Sequence, residues 1–127
     1  MRVARPVSDL DTTQKMYCKG LDMQVLGQFL DHQGFDGVMI GSPSMQYHFE
    51  FTRCRHHQVI PSPTPEDIVV FYEPDNVQWV VRCEQLLSAG FIQVESFNPY
   101  WDAHGKTFQD LDGYRIVIQN DEWSNTA

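Results

Sequence analysis

The stretch of sequence that decides the fold is Gly37-Val-Met-Ile-Gly-Ser-Pro-Ser-Met-Gln-Tyr-His-Phe-Glu-Phe-Thr52. It predicts a β-hairpin, in which an apolar strand, a turn over residues 41–44 and an alternating strand follow one another. Because strand side chains alternate, one face of the second strand carries Tyr47, Phe49 and Phe51, and the other carries His48, Glu50 and Thr52. A carboxylate and an imidazole on one face suit a partly enclosed pocket better than a dry core.

The same outline recurs near the C-terminus as Gly105-Lys-Thr-Phe-Gln-Asp-Leu-Asp-Gly-Tyr-Arg-Ile-Val-Ile-Gln119. When the two hairpins are aligned, Arg115 corresponds to His48 and Val117 corresponds to Glu50. The apolar positions match as well. We assign five aromatic and aliphatic residues of the chain to core packing: Phe49, Phe51, Phe71, Ile116 and Ile118. One copy of the hairpin therefore keeps a carboxylate that the other copy lacks.

The first half of the chain predicts a strand, a helix and three further strands. A strand is predicted over Val3–Val7, and Ser8-Asp9 is a typical helix N-cap. The helix is predicted to end at Gly20. A second strand is predicted over Gln24–Leu30, and a polar loop over residues 31–37 leads into the hairpin.

The second half repeats this order. A strand is predicted over Asp67–Tyr72, and a helix opens at Pro74-Asp75-Asn76 and ends at Ala89-Gly90. Its apolar positions are Val77, Val80, Val81, Leu86 and Leu87. A strand over Phe91–Val94, a loop over residues 98–104 and a hairpin turn at Asp112-Gly113 complete the repeat. Internal duplication of this length outranks any single local prediction.

The prolines at positions 61, 63 and 65 mark the boundary between the two repeats, because alternate prolines favour an extended connector. The sequence therefore predicts one domain of two modules. The first module covers residues 1–57, a Pro-rich linker covers 58–63, the second module covers 64–123, and residues 124–127 form a tail.

Composition limits the function classes. The net charge of −8 argues against a nucleic-acid partner, which requires a basic face, and weakly favours encounter with cationic small molecules. No apolar run approaches the ~20 residues that cross a bilayer, so no membrane partner is expected. Three cysteines, Cys18, Cys54 and Cys83, form an odd set without CxxC spacing, which favours reduced thiols in the cytoplasm.

Two consecutive modules of this order, with Val7-Ser8-Asp9-Leu10 opening the first helix and Asp110-Leu-Asp-Gly113 before the last strand, resemble the vicinal oxygen chelate superfamily. This superfamily contains glyoxalases, bleomycin resistance proteins and extradiol dioxygenases. The run Gly34–Gly41 with Tyr47–Thr52 and Asn98–Trp101 is similar to a small uncharacterised bacterial branch. The resemblance implies an α+β fold of two tandem βαβββ modules, whose open, eight-stranded, barrel-like sheet surrounds a central cavity, and it implies a homodimer.

Metal-dependent members hold a divalent ion with His and Glu side chains from both modules, and the resemblance carries these positions onto the present chain. They fall on Arg2, Glu50, Asp67 and Val117. Glu50 is a clear match, Asp67 is an oxygen ligand only if the strand register holds, and Arg2 and Val117 cannot ligate. We therefore expect no metal cofactor, and an Arg2–Glu50 ion pair would fill the metal position with fixed charge.

The predicted ligand site combines residues of both modules. His48 and Glu50 come from the first, and Tyr100 and Trp101 come from a loop of the second, where relatives of the bleomycin-resistance type carry a Pro-Trp segment beside the ligand. Trp101 offers a flat face for stacking or for a cation, or it plugs the barrel mouth. Arg2 and His104 are further candidates, and a metal set of His48, Glu50 and His104 stays open as an alternative.

Three functions are compatible with these residues. The first is metal-independent binding of a small cationic or planar molecule, by a glyoxalase/bleomycin resistance-like protein. The second is a metal-dependent lyase, isomerase or dioxygenase of the same superfamily. The third is a partner-binding module whose cavity is closed.

Overall fold

The computed structural model describes residues 1–126, which form two compact units, Met1–Ser62 and a second unit from Pro63 onward. The elements of the first unit are β1 (Arg2–Pro6), α1 (Leu10–Leu21), β2 (Gln24–His32), β3 (Phe35–Gly41) and β4 (His48–Cys54). The elements of the second are β5 (Ile68–Tyr72), α2 (Asn76–Ser88), β6 (Ile92–Val94), α3 (Tyr100–Ala103), β7 (Gly105–Gln109) and β8 (Arg115–Gln119). Within the described residues, no helix is long and apolar enough to cross a membrane.

Each unit contains one four-stranded sheet, and the two sheets have the same topology. Their strand orders are β1-β4-β3-β2 and β5-β8-β7-β6. In each sheet the first and last strands of the module lie parallel, and the other pairs are antiparallel. These observations confirm the predicted α+β class with two βαβββ modules, in which the eight strands are hydrogen-bonded as two separate sheets.

Strand register in the two parallel pairs agrees with the alignment of the two hairpins. Arg2 lies opposite His48 in the first sheet. Ile68 lies opposite Arg115 in the second. The residue equivalent to Arg2 is therefore Ile68, and the predicted placement of Asp67 at this position is wrong by one residue. Asp67 precedes β5, and its Oδ2 accepts hydrogen bonds from the Thr64 backbone N–H and hydroxyl.

The core of the first unit lies between α1 and one face of its sheet. Phe49 and Phe51 are almost fully buried, and the Tyr17 ring of α1 lies 5.4 Å and 4.7 Å from them between centroids. Asp9 caps the start of helix α1, where its carboxylate accepts the Thr12 N–H, and this bond lowers the pKa of Asp9. Of the predicted core residues, only Phe71 is half-buried rather than buried.

Two boundaries of the first unit differ from the predictions. Helix α1 passes through Gly20 and ends at Leu21. The next residue, Asp22, caps it with a left-handed φ of 52°, a conformation that a short polar side chain tolerates. The predicted loop over residues 31–37 is a tight turn, since β2 continues to His32 and β3 begins at Phe35. The polar composition of this segment predicted a loop. The positive φ angles of Gln33 and Gly34 instead allow a tight turn, so that the flanking residues pair as strands.

In the second unit, helix α2 buries fewer side chains than its apolar sequence predicts. Asp75 caps its start by accepting the backbone N–H groups of Val77 and Gln78, and the helix ends at Ala89 as predicted. Only Cys83 and Leu86 are buried. Four of its predicted apolar positions are exposed: Val77, Val80, Val81 and Leu87.

The segments around β7 are more ordered than the predicted loops. Residues 98–104 contain the short helix α3, so this segment is not a simple loop. The connection between β7 and β8 covers residues 110–114 rather than a two-residue turn. Asp110 Oδ1 accepts the backbone N–H groups of Asp112 and Tyr114, and Gly113 has a φ of 88°. The predicted turn residues Asp112 and Gly113 do lie in this connection. It is longer than predicted because the Asp110 carboxylate bonds to backbone N–H groups across it.

Candidate functional site

The predicted site residues of the first unit form one hydrogen-bonded cluster, which we call the Arg2 cluster and which consists of Arg2, His48 and Glu50. Arg2 Nε donates to His48 Nε2 over 2.9 Å. Arg2 Nη1 donates to Glu50 Oε2 over 3.0 Å. The sheet positions all three, because the parallel register of β1 and β4 places Arg2 beside His48 and leaves Glu50 two residues further on the same face.

Burial differs across the Arg2 cluster. The side chain of Glu50 is 17% exposed, and that of Arg2 is 49% exposed. The half-exposed guanidinium therefore bonds to a sheltered carboxylate. Because His48 Nε2 accepts a hydrogen bond, the neutral ring carries its proton on Nδ1. The cluster thus combines a cation, an anion and a neutral imidazole.

The residues at the superfamily's metal positions do not fit a metal ion. Arg2 remains protonated and occupies the Glu50 carboxylate, and its equivalent in the second sheet is Ile68. Val117 is the equivalent of Glu50 and has no ligand atom. Throughout residues 1–126, no three His, Cys, Asp or Glu side chains are grouped so that they could hold a metal ion.

Trp101 lines a cavity of about 190 Å³ in the second unit, which we call the Trp101 pocket. The other lining residues are Pro65, Glu66, Ile68, Ser96 and Asn98. Tyr100 lies beside Trp101 with its ring edge-on, 4.9 Å between centroids, but Tyr100 itself is 63% exposed and does not line the cavity. The joint cavity of His48 and Glu50 with Tyr100 and Trp101 stays a prediction.

His104 lies apart from the Trp101 pocket. Its Nδ1 is 3.6 Å from Asp121 Oδ2, and both side chains are largely exposed. His104 lines a different, open depression with Trp79 and Lys106, where the Lys106 ammonium lies 5.2 Å from the centroid of the Trp79 ring. The structure therefore does not place His104 and Trp101 in one cavity of this unit.

Sequence reasoning missed the polar residues of the Trp101 pocket. Asp102 holds its wall, because both carboxylate oxygens accept the backbone N–H of Ser96, at 3.2 Å and 3.1 Å. Asn98 Oδ1 accepts the backbone N–H of Tyr100 at 3.0 Å. The Asn-Pro pair before α3 and the acid after Trp101 were the available signals, since such side chains bond to nearby backbone. No local signal marked Glu66.

The two βαβββ modules have the fold of the vicinal oxygen chelate superfamily. The YycE-like N-terminal domain model matches residues 1–52, and the YycE-like C-terminal domain model matches residues 66–120. The chain belongs to the YycE-like family. This confirms the superfamily inferred from the two hairpins.

Four comparisons illustrate the relationship, one with a protein sequence and three with solved structures. The uncharacterized protein YycE from Bacillus subtilis (strain 168) is 42% identical over 120 residues, which cover 94% of this chain and 86% of that protein. The crystal structure of a B. subtilis YycE protein of unknown function, described as a candidate glyoxalase/fosfomycin resistance protein, matches with a TM-score of 0.91 at 39% identity over 100% of this chain and 93% of that chain.

The other two relatives share the fold alone. The trypanothione-dependent glyoxalase I of Leishmania major has a TM-score of 0.72 at 19% identity, with 94% of this chain and 84% of that chain covered. A glyoxalase/bleomycin resistance protein from Streptomyces sp. CB03234 has a TM-score of 0.59 at 16% identity, with 93% and 96% covered. The chain is therefore a glyoxalase/fosfomycin-resistance-like protein, and its activity must be argued from its own residues.

Proposed function

We propose that this protein binds a small molecule without a metal ion. The observation that carries the proposal is the Arg2 cluster, in which a guanidinium bonds to both His48 and Glu50. A guanidinium stays protonated under physiological conditions, so it supplies a permanent positive charge beside the one carboxylate that matches the superfamily's ligand set. A metal ion at this position would have to displace the guanidinium from Glu50 and approach a like charge.

The Arg2 cluster has hydrogen-bonding capacity left for a ligand. Arg2 uses Nε and one Nη1 proton within the cluster, which leaves further N–H donors on the guanidinium. Glu50 Oε1 can accept a donor of the ligand, and His48 can donate from Nδ1. The three groups would orient a polar molecule through paired donors and acceptors. No reaction step follows from these contacts, and binding is the function that they support.

Metal content gives the first test. The protein, purified without added metal or chelator, is expected to contain far less than one zinc, nickel, iron or manganese ion per chain, because Arg2, Ile68 and Val117 cannot ligate. Elemental analysis by mass spectrometry measures this directly. Glu50→Ala is the diagnostic variant, and Glu84→Ala on the exposed side of α2 is its control. One tightly bound transition metal per chain, lost in Glu50→Ala and kept in Glu84→Ala, would replace this proposal with the metal-dependent enzyme.

Thermal shift separates ligand binding from the partner-binding alternative. A ligand present at 100 times its dissociation constant adds ~2.7 kcal/mol to the stability of the folded state. A panel of small polar and aromatic molecules should therefore contain compounds that raise Tm for the natural protein and not for Arg2→Ala. A protein that responds to no compound and retains a macromolecular partner from solution would favour the closed-cavity module.

We also propose that the protein forms a homodimer and acts in the cytoplasm. The edge strand β2 exposes Leu26 and Leu30, and helix α2 exposes Val77 and Val81, so apolar surface remains for a second copy to cover. The cysteines Cys18, Cys54 and Cys83 are free thiols, which fits a reducing compartment.

Sedimentation velocity tests the assembly. At micromolar concentration, the natural protein is expected to sediment with the mass of two chains. Leu30→Glu places a charge on the exposed apolar edge, where Leu30 is 78% exposed, and should shift the population toward one chain without unfolding it. Gln28→Glu on the same strand controls for added charge. A natural protein with the mass of a single chain at this concentration would contradict the homodimer.

A further inference from the structure

The Trp101 pocket is built from three separate segments, each held by its own hydrogen bonds. The turn before β5 supplies Glu66 and is fixed by the bonds from Thr64 to Asp67. The segment after β6 supplies Ser96, which is 7% exposed and is bonded to Asp102. Helix α3 supplies Trp101, whose backbone N–H donates to the Asn98 carbonyl. Walls fixed in this way lose little conformational entropy when a ligand binds.

The charge in the lining of the Trp101 pocket is negative, and the Glu66 side chain that carries it is exposed. Glu66 is its only ionisable lining residue, and no hydrogen bond or ion pair engages the Glu66 carboxylate in the described part of the chain. Trp101 adds an indole ring, and Ile68 and Pro65 add apolar surface. A carboxylate next to an aromatic face is the combination that recognises an organic cation, because the ring quadrupole and the negative charge both attract it.

We propose that the Trp101 pocket binds a small organic ammonium ion that carries one planar group. The ammonium pairs with the Glu66 carboxylate, and the planar group lies against Trp101 and Ile68. The cavity volume of about 190 Å³ is smaller than the ~300 Å³ at which drug-sized sites begin, so the pocket takes one ring-sized amine or the corresponding part of a larger molecule. This deepens the proposed function, on which it rests, by naming the ligand class.

The test uses the full chain labelled with ¹⁵N and follows the indole N–H signal of Trp101, which Trp101→Phe assigns. Benzylammonium, benzyl alcohol and benzoate are titrated, because they share one ring and differ in charge. Benzylammonium should saturate the signal with an affinity at least roughly tenfold above that of benzyl alcohol, and benzoate should bind least.

Two matched variants test whether the Glu66 carboxylate is the charge that attracts benzylammonium. Glu66→Gln keeps the size of the side chain and should weaken benzylammonium binding about tenfold, because the ion pair is lost. Glu84→Gln removes the same charge from an exposed site on α2 of the same unit and should change the affinity less than twofold. Trp101→Ala should also weaken binding severalfold while Tm stays within a few degrees. If Trp101 only fills space in the fold, the variant would instead lower Tm strongly and leave binding unchanged.

Failure of this inference and failure of the proposed function give different results. Equal affinities for benzylammonium and benzyl alcohol, equal effects of Glu66→Gln and Glu84→Gln, or no saturation would overturn the amine pocket. If small-molecule binding then survives Glu66→Gln and is lost in Arg2→Ala, the proposed function stands at the Arg2 cluster. One bound transition metal per chain would overturn the proposed function, whatever the amine titration shows.

Discussion

Replacement of Phe51 by alanine is expected to lower the free energy of unfolding by about 3–5 kcal/mol. Phe51 is fully buried on β4, where its ring lies 4.7 Å from Tyr17 and 5.6 Å from Phe49 between centroids. Removal of the ring leaves a cavity between helix and sheet that neighbouring aromatic rings are too rigid to fill. Urea denaturation followed by circular dichroism measures the loss.

Phe97→Ala is the matched control, because it deletes the same ring from a side chain that is 65% exposed. We expect it to change stability by less than about 0.5 kcal/mol. A loss below 1 kcal/mol for Phe51→Ala, or equal losses for the two variants, would show that the α1–β4 interface does not carry the stability of the first unit. Val3→Ala gives an intermediate reference, since Val3 is half-buried on β1.

Gly105→Ala is expected to destabilise the protein by about 1–3 kcal/mol, the usual cost of overpacking. A Cβ at this position would clash with Gln119 Oε1 and would lie 2.8 Å from the backbone oxygen of Trp101. The second contact is with the main chain at the start of α3, which cannot rotate away, so the helix itself must move. The variant should therefore shift the Trp101 indole N–H signal as well as Tm.

Gly27→Ala serves as the control for Gly105→Ala. The added Cβ would meet only the terminal methyl of Met39 at 2.8 Å, and a methionine end group can change rotamer at small cost. We expect its effect on stability to stay below about 1 kcal/mol and the Trp101 signal to be unchanged. A Gly105→Ala protein with normal stability and an unshifted Trp101 signal would contradict the close packing of β7 against α3.

The first cluster of the candidate site was predictable because strand alternation is a local rule. His48 and Glu50 had to share a face of β4, and the resemblance to the vicinal oxygen chelate superfamily placed Arg2 at the adjoining ligand position. The register at Asp67 was not predictable in this way, since the Thr64–Asp67 turn decides it through side-chain bonds. Because the register of β5 differs by one residue from the prediction, Ile68 occupies the position that the prediction gave to Asp67, a potential metal ligand.

The Trp101 pocket shows what local rules miss. Its walls come from segments before β5, after β6 and within α3, and only their convergence brings Glu66 and Trp101 into one cavity. The exposed stripe of α2 has a similar origin, because the helical period predicts an apolar face without deciding which side the sheet covers. Packing against the sheet buries the side of the helix that carries Cys83 and Leu86 and leaves the other apolar positions exposed.

The parallel pairing of the first and last strands within each module has a consequence for synthesis on the ribosome. All strand pairs of the first sheet are complete once Cys54 has left the exit tunnel, and this unit contains its own aromatic core. The first module can therefore acquire its native topology while the second is still being translated. In each module the first strand pairs with the last strand to be translated. During synthesis β1 and β5 are therefore unpaired longest and are the strands most accessible to chaperones.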